Sequence, residues 1–136
     1  KIANEAQWQV QHLKSLQSAY SMSPFFEFYI DDLMPLFELQ FDFILDFNLK
    51  CFELLSNALQ LNSNPIHTSI FEKEPIGKID FRNLTKRNFE VNSLQSYTQV
   101  FTEKHGFLSN LSVLDLLFNE GPNAELYLKR QEISFI

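Results

Sequence analysis

Residues 46–61, DFNLKCFELLSNALQL, repeat their hydrophobic side chains with a helical period. At about 100° per residue, Phe47, Cys51, Leu54, Leu55, Ala58 and Leu61 gather on one face. Lys50, Glu53, Asn57 and Gln60 lie opposite. Asp46 is a candidate cap, and Asn48, set among apolar positions, needs a partner if it is buried. A helix with one apolar face is marginal alone and takes its stability from a neighbour. The rest of the chain must therefore supply helices to pack against it.

It offers several. Residues 5–20, EAQWQVQHLKSLQSAY, place Trp8, Val10, Leu13, Leu16, Ala19 and Tyr20 on one arc, with Gln9 and His12 inside that arc. Ser23 before Pro24 reads as an N-cap followed by proline at the first helical position, opening a short aromatic helix, PFFEFYIDDL, that breaks near Pro35. Residues 110–120 form a further helix, stopped by Gly121-Pro122. Residues 122–130 restart with proline at the first position and carry Lys129-Arg130 near the C-terminus. IHTSIF (66–71) and YTQVF (97–101) read as short strands. Between them runs a long polar connection, 72–96, with a basic Lys86-Arg87 pair. The expected fold is mainly α with minor β: a single domain over 1–136, helical with one or two short strands, the α-rich part of an α+β protein.

Composition sharpens this. There are 15 Phe against 4 Tyr and 1 Trp, so large rings must be buried and extensive disorder is disfavoured. The net charge of -6 and pI near 5.0 argue against nucleic acid and against anionic membrane surfaces as partners. No apolar run approaches the roughly 20 residues that span a bilayer, so no membrane insertion is expected. Cys51 is the only cysteine, which fits a reducing compartment and makes the cytoplasm the expected location. The chain opens on Lys1 and enters a helix almost at once, the pattern expected of a trimmed or processed piece.

The common catalytic signatures (GxGxxG, the P-loop, HExxH, GxSxG) do not occur. With 3 Gly there is no glycine-rich phosphate cradle, and His12, His67 and His105 show no metal-ligand spacing. No cofactor and no metal is expected. Three constellations remain. Trp8 and His12 are one helical turn apart: either a histidine satisfied at the core edge, or an acid/base or ligand-orienting histidine beside an aromatic platform. Tyr97, Gln99 and Phe101, leading to Glu103 and His105, read as a strand with one solvated face. In SNLSVLDLLFNEGP (109–122), Ser112, Asp115 and Asn119 fall within about 60° of one another on a helix. They form one stripe facing either solvent or a polar pocket. Glu120 lies off it, at the corner made with Gly121-Pro122.

Two longer stretches carry a resemblance. One is W8-x3-H12 running into SLQSAYSMSPFFEFYIDDLMP (15–35). The other is YTQVFTEKHGFLSNLSVLDLLFNEGPNAELYL (97–128). With ILDFN (44–48) and DFRNLTKR (80–87), they make the chain similar to the WbqC-like protein family, in particular its Bacteroidetes-type members, over nearly its whole length. Leu13 stands where many members carry tryptophan. The resemblance implies a role in O-antigen or other surface-polysaccharide biosynthesis, with a sugar-nucleotide or glycan precursor as partner and no settled reaction. It also implies that this chain corresponds to the family's C-terminal part, so that an N-terminal part or another subunit covers an apolar face. On both grounds His12 and Asp115 are the candidate catalytic residues, His12 as acid/base. Trp8, Tyr20, Ser112, Asn119 and Glu120 are candidate substrate-binding residues. The alternative is a non-catalytic protein-interaction or scaffold module, presenting an exposed apolar patch around Phe25 to Ile30.

Overall fold

The computed structural model describes residues 1–82 and 94–131. Among them the chain is helical and holds no strand. In order come α1 (Trp8–Tyr20), α2 (Phe26–Leu33), α3 (Pro35–Glu38), α4 (Ile44–Ala58), α5 (Thr102–His105), α6 (Val113–Glu120) and α7 (Ala124–Arg130). Single 3-10 turns precede α1 (Asn4–Ala6) and join α6 to α7 (Gly121–Asn123).

Each boundary has a local cause. Gln7 adopts a left-handed conformation, φ 47°, which separates the first turn from α1 and delays that helix to Trp8. Gln9, inside the apolar arc, is spent on structure: its amide donates to the carbonyls of Leu36 (3.1 Å) and Leu39 (2.6 Å), tying α1 to the end of α3. Ser23 does not cap α2. Its hydroxyl donates back to the Tyr20 carbonyl at 2.6 Å, and the helix begins at Phe26. From there Phe26, Tyr29, Ile30 and Leu33, spaced i, i+3, i+4, i+7, are all buried. Pro35 then opens α3 as a separate turn.

Helix α4 starts at Ile44, two residues before the expected cap. Asp46 sits in its first turn, where a carboxylate still favours the positive end of the helix. Asn48 is exposed and needs no protein partner. The expected apolar face packs inward against α2 and α3.

The minor β component is not present in the described residues, for two different reasons. Residues 66–71 have no neighbouring strand, and Ile66, Ile70 and Phe71 point to solvent at 94%, 72% and 79% exposure. A strand with neither ladder nor buried face has nothing to hold it. In 97–101 side chains take over what a ladder would do. The Gln99 amide donates to Leu108 O (2.8 Å) and accepts from Leu108 N (2.9 Å), while Thr102 Oγ1 accepts from Gln99 N (2.9 Å). Lys86 and Arg87 lie outside the described residues.

Helices α2 and α6 meet at the centre. Phe118, fully buried, sets its ring edge-on to Phe26 at 5.1 Å and tilted to Tyr20 at 5.3 Å. Its carbonyl accepts from the Phe25 amide at 3.0 Å. Burial of a ring or leucine of this kind contributes about 1.5–3 kcal/mol. Gly121 lets the chain turn there: its φ is 53°, and a Cβ would stand 2.6 Å from the Phe25 ring. Only glycine fits both conditions.

Candidate functional site

Among the described residues the buried carboxylate is Asp115, on the inner face of α6 at 3% exposure. The Tyr97 hydroxyl donates to its Oδ2 at 2.6 Å. Tyr20, at the end of α1, is close enough to this carboxylate to feel its charge. Burial first and the charge of Asp115 second push the Tyr20 phenol up to about 12. Tyr97 is raised too, by burial first and its bond to Asp115 second, with the Gln99 amide opposing. Both phenols therefore stay neutral, and the Tyr97 hydroxyl gives the buried carboxylate a donor. Tyr97 in turn packs edge-on against Phe107 (5.5 Å) and Tyr127 (5.2 Å), and Tyr127 donates to the Gln95 carbonyl at 2.6 Å.

The stripe of α6 divides into three roles. Ser112 is the N-cap, exposed, its Oγ accepting from Leu114 N at 3.3 Å. Asp115 is the buried acceptor. Asn119, half-buried, donates back to the Asp115 main-chain carbonyl at 2.7 Å. Glu120 faces elsewhere: it lines a cavity of about 400 Å³ with Tyr97, Tyr127 and Arg130. Its charge is the second cause, after burial, of a raised Tyr127 phenol.

His12 belongs to a different place. A groove of about 460 Å³ is lined by α1, α2, α3 and α4, with His12, Ser15 and Tyr20 of α1 and Leu114 of α6 in its wall. His12 is exposed, whereas Tyr20 is half-buried. Eight residues of helix separate these two, a rise of about 12 Å. The groove thus brings His12 and Tyr20 to one cavity but not to one atom, and Asp115 lies beyond its wall. Trp8 does not line it. Its ring meets His12 edge-on at 5.4 Å and Phe47, a groove residue, at 5.2 Å. Its Nε1 is buried and meets no hydrogen-bond acceptor among the described residues.

Sequence reading overlooked Tyr97 as the partner of Asp115 and Gln99 as the clamp of the following loop. The available signal was Tyr97 and Gln99 standing two apart, on one side of YTQVF if extended. No group of three or more His, Cys, Asp or Glu side chains suited to a metal occurs among the described residues.

Comparison with family models matches residues 1–87 to the WbqC-like protein family, more than half of the chain. The chain belongs to the WbqC-like family. Comparison with curated proteins and with solved structures gave no match. In this WbqC-like chain the match takes in α1 to α4, and with them every groove residue but Leu114. Tyr97, Asp115 and the second stretch on which the sequence resemblance was drawn, 97–128, lie beyond the matched residues. They join the matched part through Asp115 with Tyr20, and through Phe118 with Phe25 and Phe26.

Proposed function

We propose that this WbqC-like chain acts in the cytoplasm in O-antigen or other surface-polysaccharide biosynthesis, binding a sugar-nucleotide or glycan precursor. The resemblance to the family supports the process, and one observation supports the place: a groove with His12 and Tyr20 both in its lining. Its size falls within the range of small-molecule sites, and its polar groups are few, as in sites that orient a ligand at one end. His12, exposed and packed edge-on against Trp8, is the acid/base or ligand-orienting side chain of this reading, since imidazole suits proton transfer near neutrality. Asp115 acts one layer further in, fixing the Tyr97 hydroxyl and holding the Tyr20 phenol protonated.

A thermal-shift panel of sugar nucleotides tests the proposal. At least one is expected to raise the midpoint of the native chain, and His12→Gln is expected to abolish that rise. Because His12 is exposed, the variant's own midpoint should be unchanged. No rise with any sugar nucleotide, or an equal rise in the variant, contradicts the assignment.

A second reading, the interaction module, has support from a different surface than first expected. Phe26, Tyr29 and Ile30 are buried, leaving Phe28 as the exposed ring of PFFEFYI. Among the most exposed apolar side chains are Ile66, Ile70, Phe71, Ile76 and Ile79, close together in sequence. They lie on a segment organised by Arg82, whose guanidinium binds the Asp80 carboxylate and the carbonyls of Glu72 and Lys73. Pull-down of a partner lost on Ile70→Ser/Phe71→Ser, with sugar-nucleotide binding absent, distinguishes this reading.

A further inference from the structure

The cavity at the corner of α6 and α7 shares no lining residue with the groove and is built from polar side chains. Asn123, Tyr127 and Arg130, spaced i, i+4, i+7, present one face of α7 and its cap to it. Glu120, the last residue of α6, stands beside them, and Ser96 and Thr98 supply hydroxyls. The two walls are fastened together through Gln95. Its carbonyl accepts from the Tyr127 hydroxyl at 2.6 Å, and its main-chain amide donates to the Gln131 side chain at 3.1 Å. The Gln131 amide in turn donates to the Tyr127 carbonyl at 2.7 Å. A wall held in this way needs little ordering when a ligand arrives. The polar groups inside it are unspent. Glu120 and Arg130 line one cavity yet form no ion pair with each other or with any other described residue, whereas the adjacent Lys129 is taken by Glu125 at 2.7 Å. Asn123 holds the N-cap position of α7 without capping it, and the Ser96 and Thr98 hydroxyls bond to no described residue.

These groups ask for a ligand with two unlike ends. The guanidinium of Arg130 matches a phosphate with paired donors. The Glu120 carboxylate only accepts, so the part of the ligand beside it must donate, and a second anion there is repelled. Ser96, Thr98 and Asn123 both donate and accept, as hydroxyl groups do. A bare phosphate satisfies Arg130 alone, a neutral sugar leaves it idle, and an amino acid meets the two charges but not the hydroxyls between. We propose that this cavity binds a phosphorylated sugar, its phosphate at Arg130 and its ring hydroxyls at Glu120, Asn123, Ser96 and Thr98. The volume, about 400 Å³, falls within the range of small-molecule sites. This site goes beyond the groove reading, and either stands without the other.

The test follows the amides of the intact chain by NMR as glucose 1-phosphate, glucose, inorganic phosphate and free glutamine are each added. Glucose 1-phosphate is expected to shift amides at 95–98, 120–123 and 127–130 saturably. It should bind at least about tenfold more tightly than glucose or phosphate, each of which lacks one set of charge-assisted bonds. Arg130→Gln should weaken glucose 1-phosphate at least about tenfold and leave glucose unchanged. Glu120→Ala, which removes the acceptor, should weaken both sugars. Arg130 is exposed at the end of α7, so its variant keeps the fold, and the titrations of the native chain need no variant at all. No saturable shift in these segments, an equal affinity in Arg130→Gln, or tighter binding of glutamine overturns the proposal. Shifts confined to 12–20 and 47–55 overturn it as well and leave the groove as the ligand site. If the shifts fall at 95–98 and 120–130 while no sugar nucleotide raises the midpoint, this cavity stands and the groove reading falls.

Discussion

Asp115 sits at 3% exposure with Tyr97 donating to it at 2.6 Å, so the consequences of removing a single oxygen are concrete. Tyr97→Phe leaves a buried carboxylate short of a donor, a loss of about 1–3 kcal/mol of stability by denaturant unfolding; a loss below about 0.5 kcal/mol would show that the bond is idle. The same cluster sets an alkaline limit. Tyr20 holds its proton to about 12 when folded, against 10.0 otherwise, and Tyr97 is shifted in the same direction. Below pH 10 both states carry the phenolic proton and the contribution is complete. Between pH 10 and about 12 the unfolded chain releases it first, so the folded state binds more protons and stability falls as pH rises. Stability measured across that window should decline in the native chain and decline less in Tyr20→Phe; a flat profile contradicts the cluster. Gly121→Ala meets both a positive φ and the Phe25 ring at 2.6 Å. Overpacking alone costs about 1–3 kcal/mol, and a double-mutant cycle with Phe25→Leu should show coupling, whereas strict additivity would place the strain elsewhere.

At the scale of elements, the local signals and the tertiary ones part company. The helices were legible because their apolar residues recur every three or four positions, and a helix needs only its own backbone bonds plus one neighbour. Helix α2 shows this at Phe26, Tyr29, Ile30 and Leu33. The strands at 66–71 and 97–101 were misread because β-branched content says nothing about whether a partner strand exists; in 97–101 Gln99 and Thr102 satisfy the backbone instead. Start sites moved for equally physical reasons: Gln7 left-handed before α1, and Ser23 bonding backward instead of forward. The α6 stripe was located by periodicity, but its division was not. That Asp115 is buried depends on Tyr97, 18 positions earlier, and on Tyr20 at the end of α1. His12 was placed on the right helix, yet its distance from Asp115 depends on how α1 and α6 cross. Ser112 is the simplest element-scale test: as the N-cap of α6, Ser112→Ala should cost about 1 kcal/mol and Ser112→Asp should retain stability. An equal loss in both would contradict a capping role.

For the molecule as a whole, the residues matching the family and those beyond them are joined at the core. The Phe25 amide bonds the Phe118 carbonyl, and the Phe118 ring lies against Tyr20 and Phe26. The central claim is that this joined core presents the groove lined by α1 to α4 as the ligand site. Its most direct test is residue-resolved NMR of the intact chain during titration with a sugar nucleotide that raises its melting midpoint. The expected result is that the shifted amides cluster at 12–20 of α1 and 47–55 of α4, extending to Leu114, with 66–82 unmoved. Perturbations confined to 66–82, or scattered without a cluster on α1 and α4, would contradict the account.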